Sequence, residues 1–211
     1  MSVELLHVMG DDLMVVNAAR VSFHKISTEF KEGDAKLIQY LCKHHHESPF
    51  FHPQVQFRIK MPIFVAREWY RHTVGFSRNE VSRRYVDSEP ECWVPDMEDL
   101  RERDANKKQG SKDTVVAEAD EVHRVIKEYT ETTISMYKNL LDTGVAPEIA
   151  RVVLPQSMYT EFVETGSLAA YARLYRLRTS PDAQREIQKY ARMMGEHMEK
   201  AFPVSWKALT T

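Results

Sequence analysis

The stretch Gln54-Val-Gln-Phe-Arg-Ile-Lys-Met-Pro-Ile-Phe-Val-Ala-Arg-Glu-Trp-Tyr-Arg-His-Thr-Val-Gly-Phe-Ser-Arg-Asn-Glu-Val-Ser-Arg-Arg-Tyr85 changes its periodicity twice, and the fold class follows from where it changes. Residues 54–60 alternate polar with apolar, the two-residue period of a strand with one buried face. Met61-Pro62 ends the alternation. Pro62 suits the first turn of a helix, where its missing N–H would have no partner in any case. Ile63 to Tyr70 continues as a helix, predicted to end near Thr73. Arg67 and Arg71 are four apart, as are Glu68 and His72, so two polar rows run along it. Gly75 permits a turn, and Asn79 to Tyr85 is predicted to leave that turn extended. Strand, helix and extended exit in succession point to a mixed α/β or α+β architecture.

Outward from this stretch the pattern is helix-rich. Residues 3–8 read as a short edge strand. Asp11-Asp12 opens a helix to about Phe23. A polar loop at 24–33 ends at Gly33, and Asp34 caps a helix from Ala35 to about His46. On the other side, residues 87–95 are a loop with Trp93 as its anchor. Residues 96–113 are dominated by charge and lack apolar periodicity, so they read as an exposed, mobile connection, with or without a short helix. A long helix is predicted from Thr114 to Thr143, a short one from Pro147 to Leu154, and a second strand from Met158 to Thr165. Ser167 caps a helix through Leu177, and 181–201 form a last helix. The sum is one helix-rich domain, 1–211, with a small central antiparallel or mixed sheet and no internal repeat.

The chain has 211 residues, 43% of them hydrophobic, and a formal charge of −2. That length supports one substantial core, and that charge argues against a general binder of nucleic acid polymers. The start lacks the basic and apolar regions of a signal peptide. No run of about 18 uncharged apolar residues suggests a membrane span. Two cysteines, Cys42 and Cys92, without metal-type spacing, suit a reduced, cytoplasmic protein.

The candidate chemistry is concentrated in Arg67–Tyr85. These nineteen residues hold five arginines, two glutamates, a histidine, an asparagine and two serines, and sum to +3 within a chain of −2. Arginine presents a planar fork of donors that fits phosphate oxygens two at a time. Interleaved Asn, Ser and Glu suit a small anionic ligand with a polar heterocycle, such as a nucleotide. The competing reading is a solvated surface of paired Arg and Glu. His44, His45 and His46 are adjacent on a predicted helix and point in different directions, so they cannot share one metal ion; no metal site is expected. Glu148 and Arg151, three apart, read as an intrahelical ion pair. Arg173, Arg176 and Arg178 near a helix end favour the dipole there. No P-loop, GxGxxG, GxSxG or HExxH occurs, and neither cysteine has a nucleophile's setting. A cofactor would have to carry difficult chemistry.

Asn79-Glu-Val-Ser-Arg-Arg-Tyr85 resembles the Asn-Glu-x-Ser-x-Arg-Tyr half of the signature of the flavin-dependent thymidylate synthases, and Arg71-His72 resembles its opening Arg-His-Arg. The likeness continues in Ala18-Ala-Arg-Val-Ser-Phe23, His46-Glu-Ser-Pro-Phe50, Lys60–Arg67, Ala150-Arg151, Leu154-Pro155, Tyr159-Thr160, Leu177-Arg178 and Ala183-Gln184, which is nearly the whole chain. Departures exist. Thr73 stands for the second signature arginine, and one extra residue precedes Ser82. Glu68 stands where a glutamine is common and Phe51 where a glutamate is. Ser167 and Ala169 replace an asparagine and an arginine often used on the flavin.

The resemblance implies the family's α/β fold and the reductive methylation of dUMP to dTMP. Methylenetetrahydrofolate would supply the carbon, FAD would carry hydride, and NADPH would reduce the flavin. It implies a homotetramer with shared active sites. Arg178 would be the catalytic group at the uracil ring. Glu68, Arg71, Glu80, Ser82, Arg83, Arg84 and Arg151 would contact dUMP, Arg151 from another subunit. Ser22, His46, Ser48, Arg71, His72, Thr73, Val74, Asn79, Glu80, Ser167 and Arg173 would face FAD. Physical chemistry is compatible: a carbon joins uracil C5 only if electron density is raised there, and an arginine beside the carbonyl can stabilise the developing enolate without a thiolate. Ser82 lacks a neighbouring base and reads as a ligand rather than a nucleophile. Two alternatives stand beside this: flavin- and folate-dependent hydroxymethylation of a pyrimidine deoxynucleotide, and a non-catalytic nucleotide- or RNA-binding module using Trp69, Tyr70 and Phe76.

Overall fold

A computed structural model describes residues 1–86, 88–105 and 110–211. The chain begins with strand β1 (Ser2–Met9) and helix α1 (Asp12–Arg20), which tightens into a 3-10 turn at Val21–Phe23. Helix α2 (Glu32–Lys43) and a 3-10 turn at Ser48–Phe51 lead to β2 (Gln54–Pro62), α3 (Ile63–Trp69) and β3 (Phe76–Glu80). A 3-10 turn at Met97–Asp99 precedes β4 (Arg101–Arg103) and β5 (Ser111–Val115). Then come α4 (Ala119–Asp142), α5 (Pro147–Ala150), a 3-10 turn at Arg151–Val153, β6 (Tyr159–Ser167), α6 (Leu168–Arg178), α7 (Arg185–Ala201) and α8 (Pro203–Thr210). A four-stranded antiparallel sheet runs in the order β1-β2-β6-β3, with β1 at an edge as its short run predicted.

Contacts group the chain into two compact units: Met1–Ile59, Tyr70–Asn79 and Val163–Thr211 form the first, and Lys60–Trp69 and Glu80–Phe162 the second. In the first unit, Val55, Phe57 and Ile59 of β2 are buried, the face that the alternation marked. Phe57 and Phe76 both meet the Tyr171 ring edge-on, with centroids 5.3 and 4.9 Å away. Gly166 lets them approach: a Cβ there would lie 2.5 Å from Phe76 and 2.9 Å from Tyr171. Ser167 caps α6 as predicted, its hydroxyl accepting the Ala170 N–H at 3.2 Å. Asp12 accepts N–H groups from Val204 and Ser205 at 2.9 and 2.8 Å, and so holds the start of α8. In the second unit, Trp93 packs on Phe64 at 5.3 Å and its N–H reaches the Ser157 carbonyl at 2.8 Å. That contact anchors its loop as expected.

Several boundaries differ from the sequence reading, each for a local reason. α2 starts at Glu32, before the expected Asp34 cap. Asp34 sits three positions inside, accepts the Lys31 N–H at 2.8 Å and pairs with Arg20 at 2.5 Å. α2 also stops at Lys43, so His44 to His46 lie beyond it, with His45 at φ 57°. Pro62 ends β2 instead of opening α3, since the first helical N–H groups, of Ile63 and Phe64, find the Met158 and Gln156 carbonyls at 2.9 and 3.0 Å. α3 ends at Trp69, so Arg71 and His72 stand after the helix and not in rows along it. The connection at 96–113, with or without a short helix on the sequence reading, contains a 3-10 turn and also the antiparallel β4–β5 pair, which that reading does not expect. Its links are polar: Arg101 to Ser111 at 2.8 Å, and Lys112 to Glu102 at 2.7 Å. Such cross-strand pairing leaves no apolar period to read. The part of that connection at 106–109 lies outside the described residues. Thr114 and Val115 belong to β5, and α4 starts at Ala119. α7 starts at Arg185 rather than 181, and α8 was not foreseen.

Candidate functional site

Two clusters of the singled-out residues form, one in each unit. In the first unit the turn after α3 carries Arg71, His72, Thr73 and Val74. Gly75, at φ 84°, supplies a left-handed bend that a side chain would strain. His72 is buried among exposed neighbours. Its Nε2 accepts the Nε–H of Arg178 at 2.9 Å. Arg173 donates to the Val74 carbonyl at 2.6 Å, and the Gly75 carbonyl accepts from Ser167 N–H at 3.1 Å. The end of α6 is thus clamped to this turn by two arginines. Burial, followed by Arg178, Arg173, Arg78 and Arg71, lowers the His72 pKa to about 4.

Arg78 stands apart from its neighbours in the arginine-rich stretch. It forms an ion pair with Glu164, which is fully buried, and its guanidinium lies over the Phe76 and Tyr70 rings at 4.9 and 5.5 Å. It is a structural partner within the unit. Ser22, His46 and Ser48 are exposed, as are Arg71, Thr73, Val74 and Asn79. The Ser48 turn packs against α1 and α6. Ser167 is buried and its hydroxyl serves the α6 cap. Glu68, on α3, is half-buried.

In the second unit a cavity of about 480 Å³ opens beside the exit of β3. Glu80, Ser82 and Arg83 come from that exit, Glu148 and Arg151 from α5 and the turn after it, and Tyr159 and Thr160 from the start of β6. Ile63, Val152, Leu154 and Met158 supply apolar surface. Thr160 donates to the Glu80 carboxylate at 2.5 Å, and the Val81 N–H reaches the Glu161 carbonyl at 2.9 Å. Arg83 donates to the Ser88 carbonyl. Arg84 does not line the cavity and faces Glu148 at 3.6 Å. The expected Glu148–Arg151 ion pair is replaced: Arg151 donates to the Glu148 backbone carbonyl at 3.2 Å, while the carboxylate turns to Arg84. Burial raises the Tyr159 pKa, helped by Glu91 and Asp96.

Of the expected nucleotide ligands, Glu80, Ser82, Arg83 and Arg151 meet at this cavity, while Arg71 and Arg178 belong to the first unit. Arg151 lines the same cavity as Ser82 of its own chain. Sequence reasoning did not single out Thr160 or Glu148 as cavity groups. The signal for Thr160 is its buried position in the alternation Thr160, Phe162, Glu164 of β6. Among the described residues no group of three or more His, Cys, Asp or Glu is placed to hold a metal ion, and no helix is long and apolar enough to cross a membrane.

The profile of the thymidylate synthase complementing protein family matches residues 4–204. The chain is 42% identical over 210 residues to a flavin-dependent thymidylate synthase of Kosmotoga olearia, covering 98% of this chain and 88% of that one. It is 39% identical over 206 residues to one of Thermus thermophilus, covering 98% and 74%. Among solved structures it is similar to a UMP/dUMP methylase, PolB, of Streptomyces cacaoi bound with 5-Br dUMP, with TM-score 0.89, 34% identity, and 99% and 94% of the two chains covered. The same methylase bound with 5-Br UMP aligns with TM-score 0.85 at 35% identity, covering 99% and 93%.

Proposed function

The chain belongs to the flavin-dependent thymidylate synthases, and from that membership we propose that it converts dUMP to dTMP by reductive methylation. Methylenetetrahydrofolate is the carbon donor, FAD the flavin and NADPH the reductant. The observation that carries the nucleotide assignment is the second-unit cavity. Its size falls within the usual range for small ligands, roughly 300–1,000 Å³. Its lining joins arginine forks and a hydroxyl, suited to phosphate, with an anchored carboxylate suited to a sugar or base donor and an apolar surface for a ring.

Ser82, Arg83 and Arg151 hold the phosphate, with Arg84 beside them through Glu148. Glu80, fixed by Thr160, accepts a hydrogen bond from the nucleoside, and Glu68 and Arg71 contribute further contacts. Arg178 places its guanidinium against the uracil carbonyl and N3, and stabilises negative charge on the ring as C5 becomes nucleophilic. Bound flavin supplies hydride chemistry. The first-unit residues fit such a ligand. Exposed polar groups at Ser22, His46, Ser48, Arg71, Thr73 and Asn79 offer donors and acceptors around a turn shaped by Gly75, while Ser167 and Arg173 hold that turn in place through the Gly75 and Val74 carbonyls. We also assign a homotetramer with shared sites. An exposed apolar row on α4, Val122, Val125 and Tyr129, supports association of this chain with another surface.

A second reading is favoured by one finding: the similar methylase has been solved with both a dUMP and a UMP analogue. UMP is then the competing substrate. The test is to incubate purified protein with FAD, NADPH and methylenetetrahydrofolate, with dUMP or UMP, and to identify products by mass. dTMP formation from dUMP is expected. A product heavier by one oxygen identifies hydroxymethylation, and turnover of UMP alone transfers the assignment to the ribonucleotide. Protein without flavin absorbance that also fails to bind added FAD refutes the flavin-dependent reading.

A further inference from the structure

We propose that His72 is a positioning residue for Arg178: its imidazole accepts the guanidinium Nε–H and fixes the plane in which that arginine meets the pyrimidine ring. This deepens the role given to Arg178 above and rests on it. Family resemblance alone directs His72 to the flavin; the geometry points elsewhere.

Arg178 is the last residue of α6. A guanidinium is planar, and Nε joins the plane to the chain. A hydrogen bond at Nε therefore sets the orientation of the terminal nitrogens. His72 makes that bond at 2.9 Å from a buried ring. The neighbouring Arg71, Thr73 and Val74 side chains are exposed and face solvent-accessible space, whereas His72 turns inward. Guanidinium has only donors, so the ring nitrogen facing it must present a lone pair. His72 is then neutral, with its proton on Nδ1. The charged groups around it agree: Arg178 and Arg173 come from α6, Arg78 from β3 and Arg71 from its own turn, while the Glu164 carboxylate of β6 is engaged by Arg78. An arginine ordered before the nucleotide arrives loses less freedom on binding, and its charge already lies where charge will develop.

The test compares His72→Leu, His72→Gln, Arg178→Lys and the His72→Leu/Arg178→Lys double variant. Readouts are kcat and KM for dUMP, equilibrium affinity for dUMP, flavin occupancy by absorbance, and the ring-nitrogen NMR signals of labelled histidine. His72→Leu is expected to lower kcat/KM about a hundredfold, the scale of a misplacement near 1 Å, with flavin occupancy unchanged. The glutamine amide oxygen can accept the same N–H, so His72→Gln recovers most of that loss. In the Arg178→Lys background, His72→Leu has little further effect on turnover or dUMP affinity, because the planar fork that His72 orients is already gone. The His72 ring should stay neutral down to about pH 4 in the wild type, with its proton on Nδ1 and a lone pair on Nε2; a wild-type ring protonated on Nε2 at neutral pH breaks the proposed link. Additive losses in the double variant, flavin loss in His72→Leu, or no rescue by glutamine overturns the proposal. Wild-type protein that fails to make dTMP refutes the proposed function instead, while the NMR and nucleotide-binding arms still decide the His72–Arg178 link.

Discussion

Around His72, burial and the cations Arg178, Arg173, Arg78 and Arg71 hold the imidazole pKa down to about 4, against an ordinary value of 6.5. The sign of the stability effect follows. Above pH 6.5 the ring is neutral in both folded and unfolded chains and contributes no pH dependence. Between pH 6.5 and about 4 the unfolded chain takes up a proton that the folded one refuses, so stability falls as pH falls. Below about 4 both forms are protonated and the loss is complete. His72→Gln, which cannot titrate there, should show a shallower decline of its urea midpoint across that window. Equal slopes for the two proteins would contradict this. Arg78 shows the other side of the residue scale. Sequence counted it among the cations that could meet an anion, because composition records charge and not direction. Its neighbour in space, Glu164, lies 86 positions away, and a buried carboxylate needs such a partner.

At the scale of elements, Asp12 joins two helices. It stands in the first turn of α1, where a carboxylate complements the helix dipole, and its two oxygens accept the N–H groups of Val204 and Ser205 at the start of α8. Hydrogen bonds to a charged group contribute about 1.5–3 kcal/mol. Asp12→Ala should therefore destabilise the protein by about 2 kcal/mol and raise hydrogen exchange in α8 more than elsewhere, while Asp12→Asn, which keeps one acceptor, should lose less. Uniform exchange across the helices would remove the anchoring role. The sequence reading marked Asp12 only as part of a local helix start. Its long-range role, and α8 itself, depend on contacts across 192 positions, which no local period encodes. Where local chemistry dominates, the reading succeeded: the alternation of β2, the Ser167 cap and the Gly75 turn are all present. It missed the β4–β5 pair because charged side chains link those strands. It overextended α3 because the next residues keep helical spacing while their side chains and backbone are recruited by α6 and β6.

For the whole molecule, the division into two units sorts the proposed ligands. The proposed flavin residues, apart from Glu80, lie in the first unit, whereas Glu80, Ser82, Arg83 and Arg151 line the second-unit cavity. Arg178 belongs with the first set by position and with the nucleotide by proposed role. In the proposed homotetramer with shared sites, the arginine at the uracil ring and the arginine at the phosphate would come from different chains. Two inactive variants test this directly. Arg178→Lys removes the fork at the ring, and Arg151→Ala removes a phosphate ligand, with each alone expected to depress kcat/KM at least tenfold. If the two variants are co-expressed and assort freely into the proposed tetramer, a site drawing Arg151 from one chain and Arg178 from another regains both native arginines in about a quarter of cases. Turnover should then rise to roughly that share of the wild-type rate. If both arginines of a site belong to one chain, no mixed site is intact and activity stays at the level of the single variants. Sequential affinity purification through a different tag on each variant isolates the mixed assemblies, so an absence of recovery in that fraction assigns both arginines to one chain.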